Sequence, residues 1–139
     1  AETGHLVLST LHTVDAKGTI ERILDMVPAA AQNQVRMQLA SSLVGVVSQQ
    51  LIMRSDKKGR VLAAEVLVNS PAMENLIANN QLDRITELVA NSNHYYQMQT
   101  MNQSLLKLTQ SGAISPAEAI KASPHPGDLE QLLSGIVRE

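Results

Sequence analysis

The chain has 139 residues, about the size of a single domain. It contains no Cys, Phe or Trp, and its only aromatic residues are Tyr95 and Tyr96. Disulfide frameworks, cysteine nucleophiles and cysteine-ligated zinc sites are therefore excluded, and the core has to be aliphatic. Lys and Arg total 11 against 13 Asp and Glu, a net charge of −2, which argues against a nucleic-acid surface. No apolar run approaches the roughly 18 residues that a membrane span needs.

Residues 5–12 (HLVLSTLH) predict a β-strand, and its continuous apolar start is typical of a strand buried on both faces of a parallel sheet. A buried strand needs sheet neighbours, and the rest of the chain offers only a short hairpin. We therefore expect the neighbours to lie upstream, so that the chain is part of a larger fold. A natural mature terminus and a trimmed chain are the alternatives, and composition does not decide between them.

The next two segments carry helical apolar stripes. Thr13 or Asp15 can cap a first helix, which Pro28 ends. A longer helix is predicted from about residue 30 to residue 50. The two stripes consist of Ile20, Ile23, Leu24 and Val27, and of Val35, Leu39, Leu43, Val46 and Val47.

A β-hairpin is predicted after the longer helix. Residues 51–54 lead into a charged turn at residues 56–59, where Gly59 can supply a positive φ. Residues 60–68 then form the returning strand.

Several helices are predicted after the hairpin from their start and stop signals. Ser70 with Pro71, and Ser115 with Pro116, combine an N-cap with Pro at the first helical position, and Gly112 ends a helix. Further breaks are predicted at Asn79 and Asn80, at residues 91–93 and in a linker at residues 123–127. The final helix is expected to be capped by Asp128 with Gln131 and to carry the stripe Leu129, Leu132, Leu133, Ile136 and Val137.

The predicted fold class is α/β and helix-rich, with one buried strand, one β-hairpin and about six to seven helices. Residues 1–69 would hold the strand and the hairpin, and residues 70–139 would form a helical region. The six Met residues are interpreted as core filler.

His5 and His12 are the first candidates for chemistry. Their odd spacing places them on opposite faces of a strand, so a shared metal ion is not expected, and hydrogen-bonded histidines at strand ends are the alternative. Ser9, Thr10 and His12 lack the nucleophile elbow of acyl-transfer enzymes. The glycines are scattered singly, without a Walker A or dinucleotide motif, so this chain by itself is not expected to hold a nucleotide in the usual way.

Residues 3–13 (TGHLVLSTLHT) resemble the histidine box of the secretion-superfamily ATPases, the hexameric motors of type II secretion and type IV pili. The likeness continues at residues 19–28, 35–43 and 48–51. Across residues 1 to about 90 it is greatest to the pilus retraction, or PilT-like, branch, which the tail at residues 123–136 also resembles. Pilus-extension and type II secretion ATPases usually insert a four-cysteine zinc module where this chain has a short turn, which favours the retraction branch.

This resemblance implies that the chain is the C-terminal part of a RecA-like P-loop ATPase domain whose Walker A loop, acidic box and Walker B segment lie before Ala1. It implies ATP and Mg²⁺ in the parent protein, and an inactive chain when these residues stand alone. The resemblance assigns site roles to His5, His12 and Arg22. One histidine, with His12 preferred, would contact the γ-phosphate, and Arg22 would supply charge to a phosphate or an interface. A surface ion pair is the alternative for Arg22, and no metal ligand is assigned within the chain.

Residues 72–79 (AMENLIAN) depart from the retraction branch. They align with its Ala-Ile-Arg-Asn-Leu-Ile-Arg-Glu motif, but Glu74 and Ala78 replace both arginines. Asn75 and the apolar spacing are retained, so the helix is expected to pack as in the family. A divergent or accessory retraction motor is left open.

The resemblance therefore predicts part of a motor that hydrolyses ATP to drive pilus disassembly and twitching motility. It implies a homohexamer, cytoplasmic and peripheral at the inner-membrane pilus base, with platform proteins as partners. The alternatives are a non-enzymatic docking or assembly module formed by residues 70–139, and a related extension or type II secretion ATPase. The chain alone is expected to self-associate through an exposed strand edge.

Overall fold

The structure, a computed structural model, describes residues 1 and 3–135, and within them it contains eight α-helices, one 3-10 helix and two β-strands. The predicted α/β, helix-rich class with one hairpin is confirmed. The elements in chain order are α1 (Ala16–Asp25), α2 (Ala29–Ser42), β1 (Gly45–Met53), β2 (Arg60–Val68), α3 (Pro71–Ala78), the 3-10 helix (Leu82–Arg84), α4 (Ile85–Asn91), α5 (Asn93–Tyr96), α6 (Met101–Gln110), α7 (Pro116–Ala122) and α8 (Pro126–Leu133).

The hairpin is longer than predicted. β1 and β2 pair antiparallel from Gly45 opposite Val68 to Met53 opposite Arg60. The prediction of a helix up to residue 50 was therefore wrong, because β-branched residues of this stretch pair with β2 instead. Gly45 suits the start of β1, since a Cβ there would lie 2.7 Å from the carbonyl oxygen of Leu67.

The strand predicted at residues 5–12 is not formed. The segment has no regular secondary structure, and Leu6 and Leu8 are 80% and 88% exposed. A strand needs a hydrogen-bonding partner, and the sheet of the described residues consists of β1 and β2 alone. That the missing neighbours belong to another part of the protein remains a prediction.

Two hydrophobic cores lie on the inner face of the hairpin. β2 contributes Leu67 to the first core and Ala63 to the second, and β1 contributes Ile52 to the second. The first core consists of Ala16, Ile20, Leu24, Ala40, Leu67, Met73, Leu76, Ile77, Leu82, Ile85, Val89 and Met98. The second consists of Ile52, Ala63, Met101, Leu105, Ile114, Ala119 and Leu129. The predicted division of the chain at residue 69 stays a prediction.

Side-chain caps mark the beginning of half of the α-helices of the described residues. The side chains of Asp15, Ser70 and Ser115 accept hydrogen bonds from the first turns of α1, α3 and α7, as predicted. The capping box of Thr100 with Gln103 at the start of α6 was not predicted.

The predicted cap of the final helix was wrong. Asp128 lies inside the first turn of α8, and the N-cap residue is His125. Pro126 starts the helix earlier because its φ is already helical. The outer part of the predicted stripe, Ile136 and Val137, lies outside the described residues.

The interpretation of Met as core filler holds for half of the methionines. Met73, Met98 and Met101 are fully buried. The others, Met26, Met37 and Met53, are 59%, 52% and 45% exposed, so for these three it was wrong. In the described part of the chain, no helix combines the length and the apolar character needed to cross a membrane.

Candidate functional site

The end of the histidine-box segment is held against the start of α1. His12 is exposed, and the hydroxyl of the next residue, Thr13, lies 2.6 Å from the hydroxyl of Thr19. Two residues after Thr13, the carboxylate of Asp15 accepts a hydrogen bond of 2.6 Å from the backbone N–H of Gly18. The His12 side chain is therefore exposed beside a segment that is fixed to the first turn of the helix.

His5 lies in a freer part of the same segment. It is exposed, and its ring Nδ1 lies 3.0 Å from the hydroxyl of Thr3. No hydrogen bond among the described residues joins His5 to His12. The two predicted site histidines are thus not brought together by the contacts of this chain.

Arg22, the third predicted site residue, lies exposed in the last turn of α1. Within the described residues it forms no ion pair, whereas Lys17 on the same helix does. The Lys17 Nζ lies 2.5 Å from Asp83 and 3.7 Å from Glu21. The hydrogen bond to Asp83 raises the pKa of Lys17 and lowers the pKa of Asp83. Lys17 therefore joins α1 to the 3-10 helix. Arg22, on the same helix, is exposed.

Glu65 is a buried charged residue that sequence reasoning missed. It is 7% exposed, its Oε1 accepts a hydrogen bond of 2.7 Å from the N–H of Ala16, and its Oε2 accepts one of 3.2 Å from the N–H of Met101. These are the first residues of α1 and α6, so one carboxylate caps two helices. The signal in the sequence was a Glu on the inward-facing alternation of β2, between Ala63 and Leu67.

Burial is the main electrostatic influence on Glu65. It raises the pKa of the carboxyl above its ordinary value of 4.5, and the N–H groups of Ala16 and Met101 oppose that rise. The charge of Asp15 adds to the rise, and His125 opposes it.

Glu65 belongs to a polar seam, which we define as Ser48, Glu65 and Ser104. Ser48 lies directly opposite Glu65 across the hairpin and is 5% exposed, and its hydroxyl has no hydrogen-bond partner among the described residues. Ser104 accepts a hydrogen bond of 3.1 Å from the N–H of Ala64. Along β2 the seam falls between Ala63 of the second core and Leu67 of the first.

The described part of the surface carries two shallow depressions. The larger, about 500 Å³, is lined by residues of α4, α5 and α6, and the other lies between α3 and α4. Its volume is about 260 Å³, and it is lined by Ala72, Leu76, Arg84, Glu87, Leu88 and Asn91. None of these residues belongs to the histidine-box segment. Among the described residues, no group of three or more His, Cys, Asp or Glu is placed to hold a metal ion.

Comparisons with known proteins agree on one group of relatives. Residues 1–58 match the sequence profile of the family described as "Type II/IV secretion system protein". A twitching motility protein of Neisseria gonorrhoeae is 44% identical over 119 residues, which are 86% of this chain and 32% of that protein. The type IV pilus retraction ATPase PilT of Pseudomonas aeruginosa is 38% identical over 126 residues, 91% of this chain and 36% of that protein.

The fold has a solved counterpart. The crystal structure of the pilus retraction motor PilT with bound ADP superposes with a TM-score of 0.83 at 46% identity, covering 94% of this chain and 36% of that one. The chain thus spans about one third of the length of the relatives it matches.

Proposed function

We propose, from the premise that this chain is part of a secretion ATPase of the pilus retraction kind, that the intact protein hydrolyses ATP to power type IV pilus disassembly and twitching motility. The observation that carries the proposal is the likeness to the ADP-bound retraction motor, which extends over nearly the whole chain.

In this proposal His12 acts on the γ-phosphate of ATP. Its support is positional: the side chain is exposed, while Thr13 and Asp15 fix the adjoining backbone to α1. A polar group held by a fixed backbone can stabilise the charge that develops during phosphoryl transfer.

His5 and Arg22 have supporting roles in the proposal. Arg22 offers an exposed guanidinium at the far end of α1 from His12 and can contact a phosphate or a neighbouring subunit. His5 lies in the part of the box before Leu6, and we assign it to the subunit boundary.

ATP and Mg²⁺ would be bound mainly by parts of the protein outside this chain. The seven glycines are scattered singly, with no phosphate-binding loop motif among them. We therefore propose that the 139-residue chain is inactive by itself. Nucleotide-saturable ATP hydrolysis by the isolated chain would contradict this.

The proposed assembly is a homohexamer in the cytoplasm, peripheral at the inner-membrane pilus base, with platform proteins as its partners. Residues 1–69 would complete the ATPase core, and residues 70–139 would form the helical region that moves with it.

The test of the main proposal is ATP hydrolysis by the intact protein and by its His12→Ala variant. Loss of a group that stabilises developing charge is expected to lower kcat by about 100-fold. His94→Ala is the matched control, because His94 is also exposed but lies on α5. Absence of hydrolysis in the unaltered protein would reject the ATPase, whereas equal rates for the two variants would reject only the role of His12.

A docking or assembly module is the second candidate function. It is favoured by α3, where Glu74 and Ala78 stand in place of the two arginines of the retraction motif. Met73, Leu76 and Ile77 of the same helix are buried, so its packing is intact while its exposed face has lost positive charge. A coding region without a Walker A motif upstream of Ala1 would favour this candidate over the motor.

A further inference from the structure

A series of hydrogen bonds, continued through the adjacent residues Met101 and Asn102, leads from the start of α1 to the C-terminal helices. It begins at Ala16, whose N–H donates to Glu65, and Glu65 also accepts from the N–H of Met101. The next residue, Asn102, is 8% exposed and donates 3.0 Å to the carbonyl oxygen of His125. Ser123 donates 2.6 Å to the side-chain oxygen of Asn102. The start of α1 is thereby linked to the segment between α7 and α8.

We propose that Glu65 is a positioning residue that makes α1 and α6 move as one body, and so carries a displacement of the histidine-box end of α1 to α6, α7 and α8. Its role in ATP turnover rests on the function proposed above. The link between α1 and α6 through Glu65, which we call the tether, rests on the two hydrogen bonds of one buried carboxylate.

The physical reason is the cost of separating the helices. If α1 alone moved away from β2, the N–H of Ala16 would lose its acceptor in a site that excludes water. A buried donor left without a partner is unfavourable, so both hydrogen bonds are preserved only when α1 and α6 move together with β2, which carries Glu65. Covalent connection does not supply this link, because Ala16 and Met101 lie 49 and 36 residues from Glu65.

The test is hydrogen–deuterium exchange of the intact protein with Asp15→Ala. This variant removes the side-chain cap of α1 and loosens its first turn. With Glu65 present, exchange in the first turn of α6 is expected to rise about threefold, because an amide exchanges faster as its hydrogen bond opens more often. In the Glu65→Gln background, where the amide NH₂ cannot accept, Asp15→Ala is expected to add no further increase at α6.

Two further variants complete the design. Thr100→Ala removes the cap of α6 and is expected to raise exchange at the start of α1. Because this measurement leaves Glu65 in place, it still tests the link between α1 and α6 if Glu65→Gln fails to fold. Ser70→Ala, the matched control, removes the cap of α3 and is expected to act on α3 alone. The proposal would be overturned if Asp15→Ala left exchange at α6 unchanged. It would also be overturned if Asp15→Ala raised exchange at α6 equally with and without Glu65.

The catalytic consequence is measured separately. Glu65→Gln is expected to lower kcat for ATP about tenfold with KM within about twofold, because substrate binding is kept while the coupled step is impaired. A purely structural role would instead reproduce the kinetics of Ser70→Ala. If the unaltered protein does not hydrolyse ATP, the proposed function fails. The exchange measurements still test whether Glu65 links α1 to α6.

Discussion

The Oε1 atom of Glu65 lies 2.7 Å from the backbone nitrogen of Ala16, although the two residues are 49 positions apart in the chain. The contact places a buried carboxylate at the start of the helix that follows the histidine box. Its other oxygen accepts from Met101, so two helix starts depend on one side chain of the hairpin.

Replacing Glu65 by Ala is expected to lower the free energy of unfolding by about 2–4 kcal/mol, since two buried N–H groups lose their acceptor at about 1–3 kcal/mol each. Relief of the buried carboxylate offsets part of that loss. Ser48→Ala is the control: Ser48 lies opposite Glu65 and its buried hydroxyl has no partner in the part of the chain that the structure describes, so a change of less than about 0.5 kcal/mol is expected. Urea unfolding at neutral pH measures both, and equal losses would contradict the assigned role.

The contribution of Glu65 to the free energy of unfolding is expected to fall as pH rises above about 4.5 through the titration of this carboxyl. Burial raises the pKa of this carboxyl in the folded state, so the unfolded chain loses its proton first and deprotonation favours unfolding. Glu65→Gln removes this contribution. As pH rises above about 4.5, the unfolding free energy of the unaltered protein should therefore fall relative to that of Glu65→Gln. A constant difference between the two would contradict the raised pKa.

Asp56 in the hairpin turn is expected to stay ionised to a pH of about 2. The guanidinium of Arg54 donates twice to its carboxylate and the N–H of Lys58 donates once, and these hydrogen bonds lower the pKa from 3.8. The associated stability is present above the ordinary pKa and is lost as pH falls toward 2. NMR titration of Asp56 measures the midpoint. In Arg54→Gln the midpoint should rise toward 3.8, and an unchanged value would assign the shift to other groups.

Asn69 is expected to be intolerant of a carboxylate. Its side-chain nitrogen donates 2.8 Å and 2.9 Å to the carbonyl oxygens of Ala40 and Leu43, which closes the end of α2. Asn69→Asp puts an acceptor against two acceptors and should cost about 2–4 kcal/mol. Asn79→Asp is the control, because Asn79 makes a comparable bond to the carbonyl of Asn75 at an exposed site, where a loss below about 1 kcal/mol is expected. Similar losses at both sites would show that the half-buried position of Asn69 has no special weight.

The methionines are expected to divide by burial. Met101 is fully buried in the second core, and Met101→Ala should cost about 2–5 kcal/mol through lost packing and a cavity. Met37 on α2 is 52% exposed, and Met37→Ala should change stability by less than about 0.5 kcal/mol. Thermal unfolding compares them, and a large loss at Met37 would indicate that its exposed side chain is covered in the assembled protein.

The starts of α3 and α7 and the hairpin turn could be predicted from the sequence because their determinants are local. Ser70 caps α3 through a hydrogen bond to a residue three positions later, and Ser115 does the same for α7. Gly59 adopts the positive φ that the turn requires. Such contacts are encoded in short stretches of sequence, and the resemblance of residues 3–13 to the histidine box of the secretion ATPases is equally local.

The tertiary structure alone decided the elements whose partners are distant. Val46 and Val47 fit a helical stripe as well as a strand, and pairing opposite Leu67 and Val66 selected the strand. Residues 5–12 have strand composition but no partner in the sheet of the described residues, so they have no regular secondary structure and most of them are exposed.

Glu65 shows the same division at the candidate site. Its alternation along β2 marked an inward-facing charge, but only the fold could show that the N–H groups of Ala16 and Met101 converge on it. The sequence by itself determined the local caps, the turn and the family likeness. Strand pairing and the partners of the buried carboxylate required the fold, because a hydrogen bond between residues tens of positions apart leaves no local pattern.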